Sequence, residues 1–220
     1  MKLFADTGDV QELQKLDEMG LISGVTTNPS ILSKEGRDAI ASLRKICDLL
    51  PAYPVMAQVT VPEADGMVKQ ARTINATGPN MVVKIPATNE GLKAIAALKK
   101  ENIRTCATAI LTSAEALLCA TAGASYVAPY TGQNNILGFD GLRTLREIAQ
   151  MFAAGKQDCQ ILAASIDKPQ DMVDVAVAGA HIATFTYEQL LAVCDKPSPL
   201  TQYYIGRFMD DWNGAGAFFS

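Results

Sequence analysis

Lys84 closes a short apolar run, Met81-Val82-Val83, and is followed by Ile85-Pro86. An ammonium group in a buried strand is costly unless the charge is paired or lost. Burial lowers a lysine's pKa, and a neutral amine attacks a carbonyl to form a Schiff base. A strand-end lysine whose stem snorkels to solvent has the same local sequence, so the residues at the other strand ends must decide. Those ends read Asp6, Thr26-Thr27-Asn28, Gln58, Thr108, Tyr130 and Ser165. Around one mouth they would gather an amine, a carboxylate, a phenol, two amides and several hydroxyls, a set suited to imine chemistry. Lys84 is then the expected nucleophile. Tyr130 and Thr108, acting through a water, are candidates for the proton shuttling that a carbinolamine needs. Asp6 and Asn28 are expected on substrate hydroxyls, with Asp6 alternatively pairing the protonated imine. Asp6-Thr7-Gly8-Asp9 also reads as a strand-end turn and helix cap; capping by Asp9 leaves Asp6 free. Pro29 favours an extended Asn28, which presents that amide to the mouth.

The elements that must position these groups follow from alternation. Candidate strands are Leu3–Asp6, Gly24–Thr27, Val55–Val59, Met81–Ile85, Thr105–Ile110, Tyr126–Tyr130, Ile161–Ile166 and Ile182–Thr186. Helical patterns fall between them, over Asp9–Glu18, Asp38–Leu49, Glu63–Ile74, Glu90–Lys100, Ser113–Thr121, Leu142–Ala154, Pro169–Ala178 and Tyr187–Val193. Thr112 before Glu115 reads as a capping box, and Thr60-Val61-Pro62-Glu63 as a hydroxyl and proline at a helix start. Gly123 and Gly179 read as C-terminal caps. Strand–helix alternation predicts a parallel sheet. Eight units, with no Gly-x-Gly-x-x-Gly after an early strand, predict one (β/α)8 TIM barrel rather than an open sheet. The barrel is expected to occupy 1–220 as one domain. Beyond Pro197-Ser198-Pro199, a further helix over Leu200–Trp212 carries Tyr203, Tyr204, Ile205, Phe208 and Met209, and residues 198–220 suit its own barrel or a neighbouring subunit.

Composition excludes several classes. The 220 residues are 49% hydrophobic with a formal net charge of −4. Without a block of Lys/Arg, no nucleic-acid or anionic-membrane partner is expected. No apolar run spans a bilayer, and Met1-Lys2-Leu3-Phe4 runs into Ala5-Asp6 without a signal-peptide pattern, so a soluble, cytoplasmic protein is expected. Five scattered cysteines predict reduced, mostly buried thiols rather than a disulfide framework or a zinc site. Cys106 lies near the candidate site but reads as a small buried hydrophobe. The single histidine, His181, cannot build a zinc centre or a triad alone and reads as structural. No metal is expected, and amine chemistry gains by elimination.

Asp6-Thr-x-Asp9, Gly24-Val-Thr-Thr-Asn-Pro-Ser-Ile31, Val82-Val-Lys-Ile-Pro86 with Glu90-Gly-Leu92, Ala128-Pro-Tyr130 and Ala163-Ala-Ser165 resemble the small transaldolases and fructose-6-phosphate aldolases. The resemblance spans almost the whole chain, to Asp211-Trp212. It implies a (β/α)8 barrel, a Schiff base between Lys84 and a dihydroxyacetone unit, and no cofactor or metal. It also implies homo-oligomeric rings, pentamers or decamers, in which the C-terminal helix reaches a neighbour. Gln58 and Tyr130 stand where transaldolases tend to carry glutamate and phenylalanine, which resembles the aldolase branch. A tyrosine beside the imine carbon chain can move the proton that releases free dihydroxyacetone.

The chain departs from that pattern at the end of the pocket expected to hold phosphate. Gln133 stands near the position of a family arginine, and Ile166-Asp167 follows Ser165 where a basic residue is frequent, with Lys168 beyond. A phosphate dianion wants fixed cations or several backbone donors. A neutral acceptor, or a monoanionic sulfonate held by Ser165, Gln133 and backbone N–H groups, fits better; the family includes transaldolases of the sugar sulfonate sulfofructose. The expected activity is a Schiff-base aldolase acting on a ketose such as fructose 6-phosphate. The alternatives are a transaldolase moving a dihydroxyacetone unit from a sugar phosphate or sulfonate, and a barrel that binds sugars without turnover.

Overall fold

Eight parallel strands close in sequence order: β1 (Lys2–Asp6), β2 (Val25–Thr26), β3 (Val55–Gln58), β4 (Met81–Pro86), β5 (Thr105–Ile110), β6 (Tyr126–Pro129), β7 (Gln160–Ala163) and β8 (Ile182–Phe185). β1 pairs with both β2 and β8, which completes the barrel. The helices are α1 (Val10–Glu18), α2 (Pro29–Leu32), α3 (Ala39–Leu49), α4 (Ala64–Asn75), α5 (Asn89–Lys100), α6 (Ser113–Ala122), α7 (Thr131–Ile136), α8 (Gly141–Gly155), α9 (Asp171–Val177), α10 (Tyr187–Leu191) and α11 (Pro199–Gly214). This computed structural model describes residues 1–36, 38–194 and 198–216. The expected (β/α)8 barrel with an added C-terminal helix is what the chain forms.

The side-chain period of two separates the core into two shells. Phe4, Met56, Val82, Cys106, Leu162 and Ile182 fill the barrel interior. Their strand neighbours, among them Ala5, Val55, Val83, Ala107, Ile161 and Ala183, face outward against the helices. Along β4 this alternation sets Val82 inward, Val83 outward and Lys84 inward again, above the apolar plug.

Local sequence explains most helix ends. Asp9 caps α1, accepting from the backbone N–H of Gln11 at 2.7 Å and of Glu12 at 3.3 Å. Thr112 and Glu115 form the expected capping box on α6, and Gly123 ends that helix at φ 105°, where a side chain would be strained. At α4 the structure differs from the expected hydroxyl-and-proline start. Its N-cap is Glu63, without a side-chain bond, and Thr60 bonds Gln70 instead. The four-residue α2 and the polar, six-residue α7 have too little apolar periodicity to be legible as separate helices.

α11 matches the helix expected over Leu200–Trp212, yet none of its residues is buried. Leu200, Tyr203, Ile205, Phe208 and Met209 are each more than half exposed. Pro197 and the Phe218-Phe219 tail lie outside the described residues. Among the described residues, no helix is long and apolar enough to cross a membrane.

Candidate active site

A cavity of about 440 Å³ opens at the C-terminal ends of the strands, and Asp6, Asn28, Lys84, Tyr130, Gln133 and Ser165 all line it. This is the face on which a parallel barrel carries its chemistry. Six side chains singled out in the sequence, from five strand ends and one helix, therefore meet in one place.

Lys84 is only 6% exposed, and its Nζ donates to the backbone oxygen of Thr27 at 3.1 Å. Its strand is held on both sides, opposite Gln58 of β3 and Cys106 of β5. α5 presses on the end of this strand so closely that a Cβ on Gly91 would lie 1.9 Å from the Pro86 carbonyl oxygen. Glycine at 91 therefore lets the helix seat against the strand that carries the amine.

Asp6 accepts from Thr26 Oγ1 at 2.5 Å, and Thr26 Oγ1 lies 2.6 Å from Thr184 Oγ1. Protein encloses most of the Asp6 carboxyl, although part of the residue stays open to the mouth. Burial pushes its pKa above the ordinary 3.8, while the Thr26 hydrogen bond and the Lys84 charge pull it back. The carboxyl's proton affinity is thus raised in a cavity it shares with the buried amine of Lys84. Cys106, on the interior face of the neighbouring strand, is pushed up to about 12 by burial, against the pull of Lys84. It is an inert thiol at neutral pH.

Tyr130 places its phenol oxygen 3.2 Å from Thr108 Oγ1. Thr108 is fully buried and does not line the cavity; its side-chain contact with a cavity residue is the one to Tyr130. Asn28 does two jobs: its Oδ1 accepts from the Ile31 N–H at 2.9 Å, capping α2, which leaves its NH2 as a donor at the cavity. Ser165 sits at φ 55°, a left-handed conformation unfavourable for a serine. The Gly132 N–H donates to the Ser165 carbonyl at 2.7 Å. A Cβ on Gly132 would lie 2.2 Å from that oxygen, so glycine is required there to clamp the Ser165 loop onto α7.

Besides Thr108, two residues expected at the mouth do not line the cavity. Thr26 does not line the cavity and touches it through Asp6 and Thr184. Gln58 stands beside Lys84 in the β3–β4 register but lines a separate cavity of about 530 Å³ against α4. His181 lies at the opposite end of the barrel, where its Nδ1 accepts from the Ile161 N–H at 2.9 Å; the structural role expected of it holds. All five cysteines are free, four of them buried, with Cys194 exposed.

Ala109, Leu111, Leu137 and Ala164 form apolar walls of the cavity that the polar strand ends do not announce. Thr184 was likewise not among the expected residues. That residue was legible in principle, because alternation in Ile182-Ala183-Thr184-Phe185 sets Thr184 on the same inner face as Ile182. Ala109 was not legible: the β5–β6 register shifts between Ala107 and Ile110, and Ala109 sits at φ 58° within that irregularity.

Comparison with known proteins agrees with this geometry. Residues 3–213 match the family model described as Transaldolase/Fructose-6-phosphate aldolase. A "Probable transaldolase" of Clostridium kluyveri is 44% identical over 212 residues, covering 96% of this chain and 97% of that protein. Proteins of the same description from Thermoanaerobacter sp. and Halalkalibacterium halodurans are 42% and 41% identical, each over at least 97% of this chain and 99% of their own. The chain is an enzyme of the transaldolase/fructose-6-phosphate aldolase family.

Proposed function

We propose that this enzyme transfers a dihydroxyacetone unit between sugars through a Schiff base on Lys84. The observation that carries this reading is the buried amine of Lys84 at a cavity also lined by one carboxyl and one phenol. The lysine amine adds to the ketone carbon of a ketose, and loss of water from the carbinolamine gives an iminium. The C3–C4 bond then breaks, its electron pair passing into the iminium to give an enamine, while the C4 hydroxyl loses its proton and the fragment from C4 onward leaves as an aldehyde. Addition of the enamine to a second aldehyde and hydrolysis of the imine complete the transfer and restore Lys84. Tyr130, tied to Thr108, is placed to pass protons. An ionised Asp6 offsets the iminium charge.

A second reading, aldol cleavage with release of free dihydroxyacetone, has Tyr130 in its favour, since protonation of the enamine needs an acid at that point. The relatives' descriptions favour transfer, against the aldolase expected from Gln58 and Tyr130. The two are separated by supplying fructose 6-phosphate with and without an added aldehyde acceptor. Transfer predicts product formation that depends on the acceptor and almost no free dihydroxyacetone. Dihydroxyacetone released at the same rate without an acceptor would establish cleavage instead.

The family's description names a sugar phosphate; the cavity end lined by Gln133 and Ser165, with the Asp167 carboxylate packed close to Gly132, suits a neutral or monoanionic acceptor in addition. Free, mostly buried thiols suit a reducing, cytoplasmic setting. The exposed apolar residues of α11 suit a homo-oligomer in which this helix seats on a second copy of the chain.

A further inference from the structure

Thr184 lines the cavity but takes no part in the chemistry above. It is 6% exposed, and Thr26 is fully buried. In the barrel register Thr184 stands opposite Phe4, and Thr26 opposite Asp6, so the two threonines flank β1 and meet across its inner face at 2.6 Å. Counting hydrogens fixes the direction of this chain when Asp6 is ionised. A hydroxyl has one proton to give, and a carboxylate only accepts. Thr26 gives its proton to Asp6, so the Thr26–Thr184 contact must use the proton of Thr184. The other acceptor within reach of Thr184, the Phe4 carbonyl oxygen, lies at 3.5 Å, the outer limit for a hydrogen bond.

We propose that Thr184 is a positioning residue for Asp6: by donating to Thr26 it aims and polarises the Thr26 hydroxyl towards the carboxylate and favours the ionised form of Asp6. Hydrogen bonds in series strengthen one another, most of all when the last acceptor is charged. The effect opposes the desolvation that pushes Asp6 towards its neutral form, and a neutral Asp6 has no charge to set against an iminium. The consequence for catalysis rests on the Schiff-base reading; the effect on Asp6 does not. The other titratable or charged groups that share Asp6's cavities are Lys84 from β4, Tyr130 after β6, Tyr187 at the start of α10, and a rim of Asp9, Glu12, Lys34, Glu35 and Glu188. A change at Thr184 leaves all of these in place.

The test compares Thr184→Val, which keeps the shape and deletes the hydroxyl, with Thr184→Ser, which keeps the hydroxyl. The Asp6 carboxyl is titrated by 13C NMR in the ligand-free enzyme, its resonance assigned by its loss in Asp6→Asn, and the pH profile of kcat/KM is recorded alongside. In Thr184→Val the Asp6 pKa should rise by about half a unit or more, roughly a threefold change in proton affinity, and Thr184→Ser should titrate as the wild type. Thr184→Ala serves the same purpose should the valine variant fail to fold. An unchanged or lowered Asp6 pKa in the hydroxyl-free variant, or a serine variant that behaves like it, overturns the proposal. A raised Asp6 pKa with an unmoved kcat/KM profile upholds it and shows instead that ionised Asp6 is not needed for turnover.

Discussion

At Asp6 stability and function pull in opposite directions. Burial raises the carboxyl's pKa, so the folded protein holds this proton more tightly than the unfolded chain does. Its contribution to stability is therefore full below the ordinary value of 3.8 and is lost as pH rises from there through the raised value. Asp6→Asn removes that loss. Its Tm should exceed the wild type's at neutral pH and converge with it in acid, while turnover falls; a Tm difference independent of pH would contradict this account. Asp6 and Lys84 were both legible as residues because a charge in an apolar strand has few explanations. The Thr26–Thr184 contact was not legible, since it joins side chains 158 positions apart that only barrel closure brings together.

Elements were legible wherever apolar period and punctuation agreed. Thr105–Ile110 was read to the residue, and most other strands to within one or two at either end. The exceptions have physical causes. β7 stops at Ala163, short of the expected Ile166, because the chain turns at Ser165, where φ becomes positive. Proline at 62 did not start α4, whose N-cap is Glu63. Close approaches between elements leave no mark in composition, and Gly91 is the clearest case. A methyl group there collides with the Pro86 carbonyl, so Gly91→Ala must move α5 or the end of β4. A loss of about 1–3 kcal/mol is expected from such overpacking, together with a fall in kcat, because Lys84 lies two residues before Pro86. Chemical denaturation and steady-state kinetics measure both, and unchanged values would show that α5 seats without help from glycine at 91.

For the molecule as a whole, barrel closure turns separate strand ends into one site, and this was readable from the count of eight strand–helix units. Whether α11 folds back or stands free was not readable, because an apolar helix has the same sequence in either case. The structure leaves Leu200, Tyr203, Ile205, Phe208 and Met209 exposed around much of the helix, and the proposed homo-oligomer would seat them on a second copy of the chain. Phe208→Glu should therefore shift the sedimentation coefficient towards that of a smaller species while leaving the barrel's circular dichroism unchanged. An unaltered sedimentation profile would remove this helix from assembly.

The central claim is that Lys84 forms the imine. The most direct measurement is borohydride reduction in the presence of dihydroxyacetone, followed by peptide mass spectrometry of the wild type and of Lys84→Met. The account predicts a reduced three-carbon adduct on the peptide containing Lys84, and neither adduct nor turnover in the methionine variant. An adduct on another lysine, or turnover retained by Lys84→Met, would contradict it.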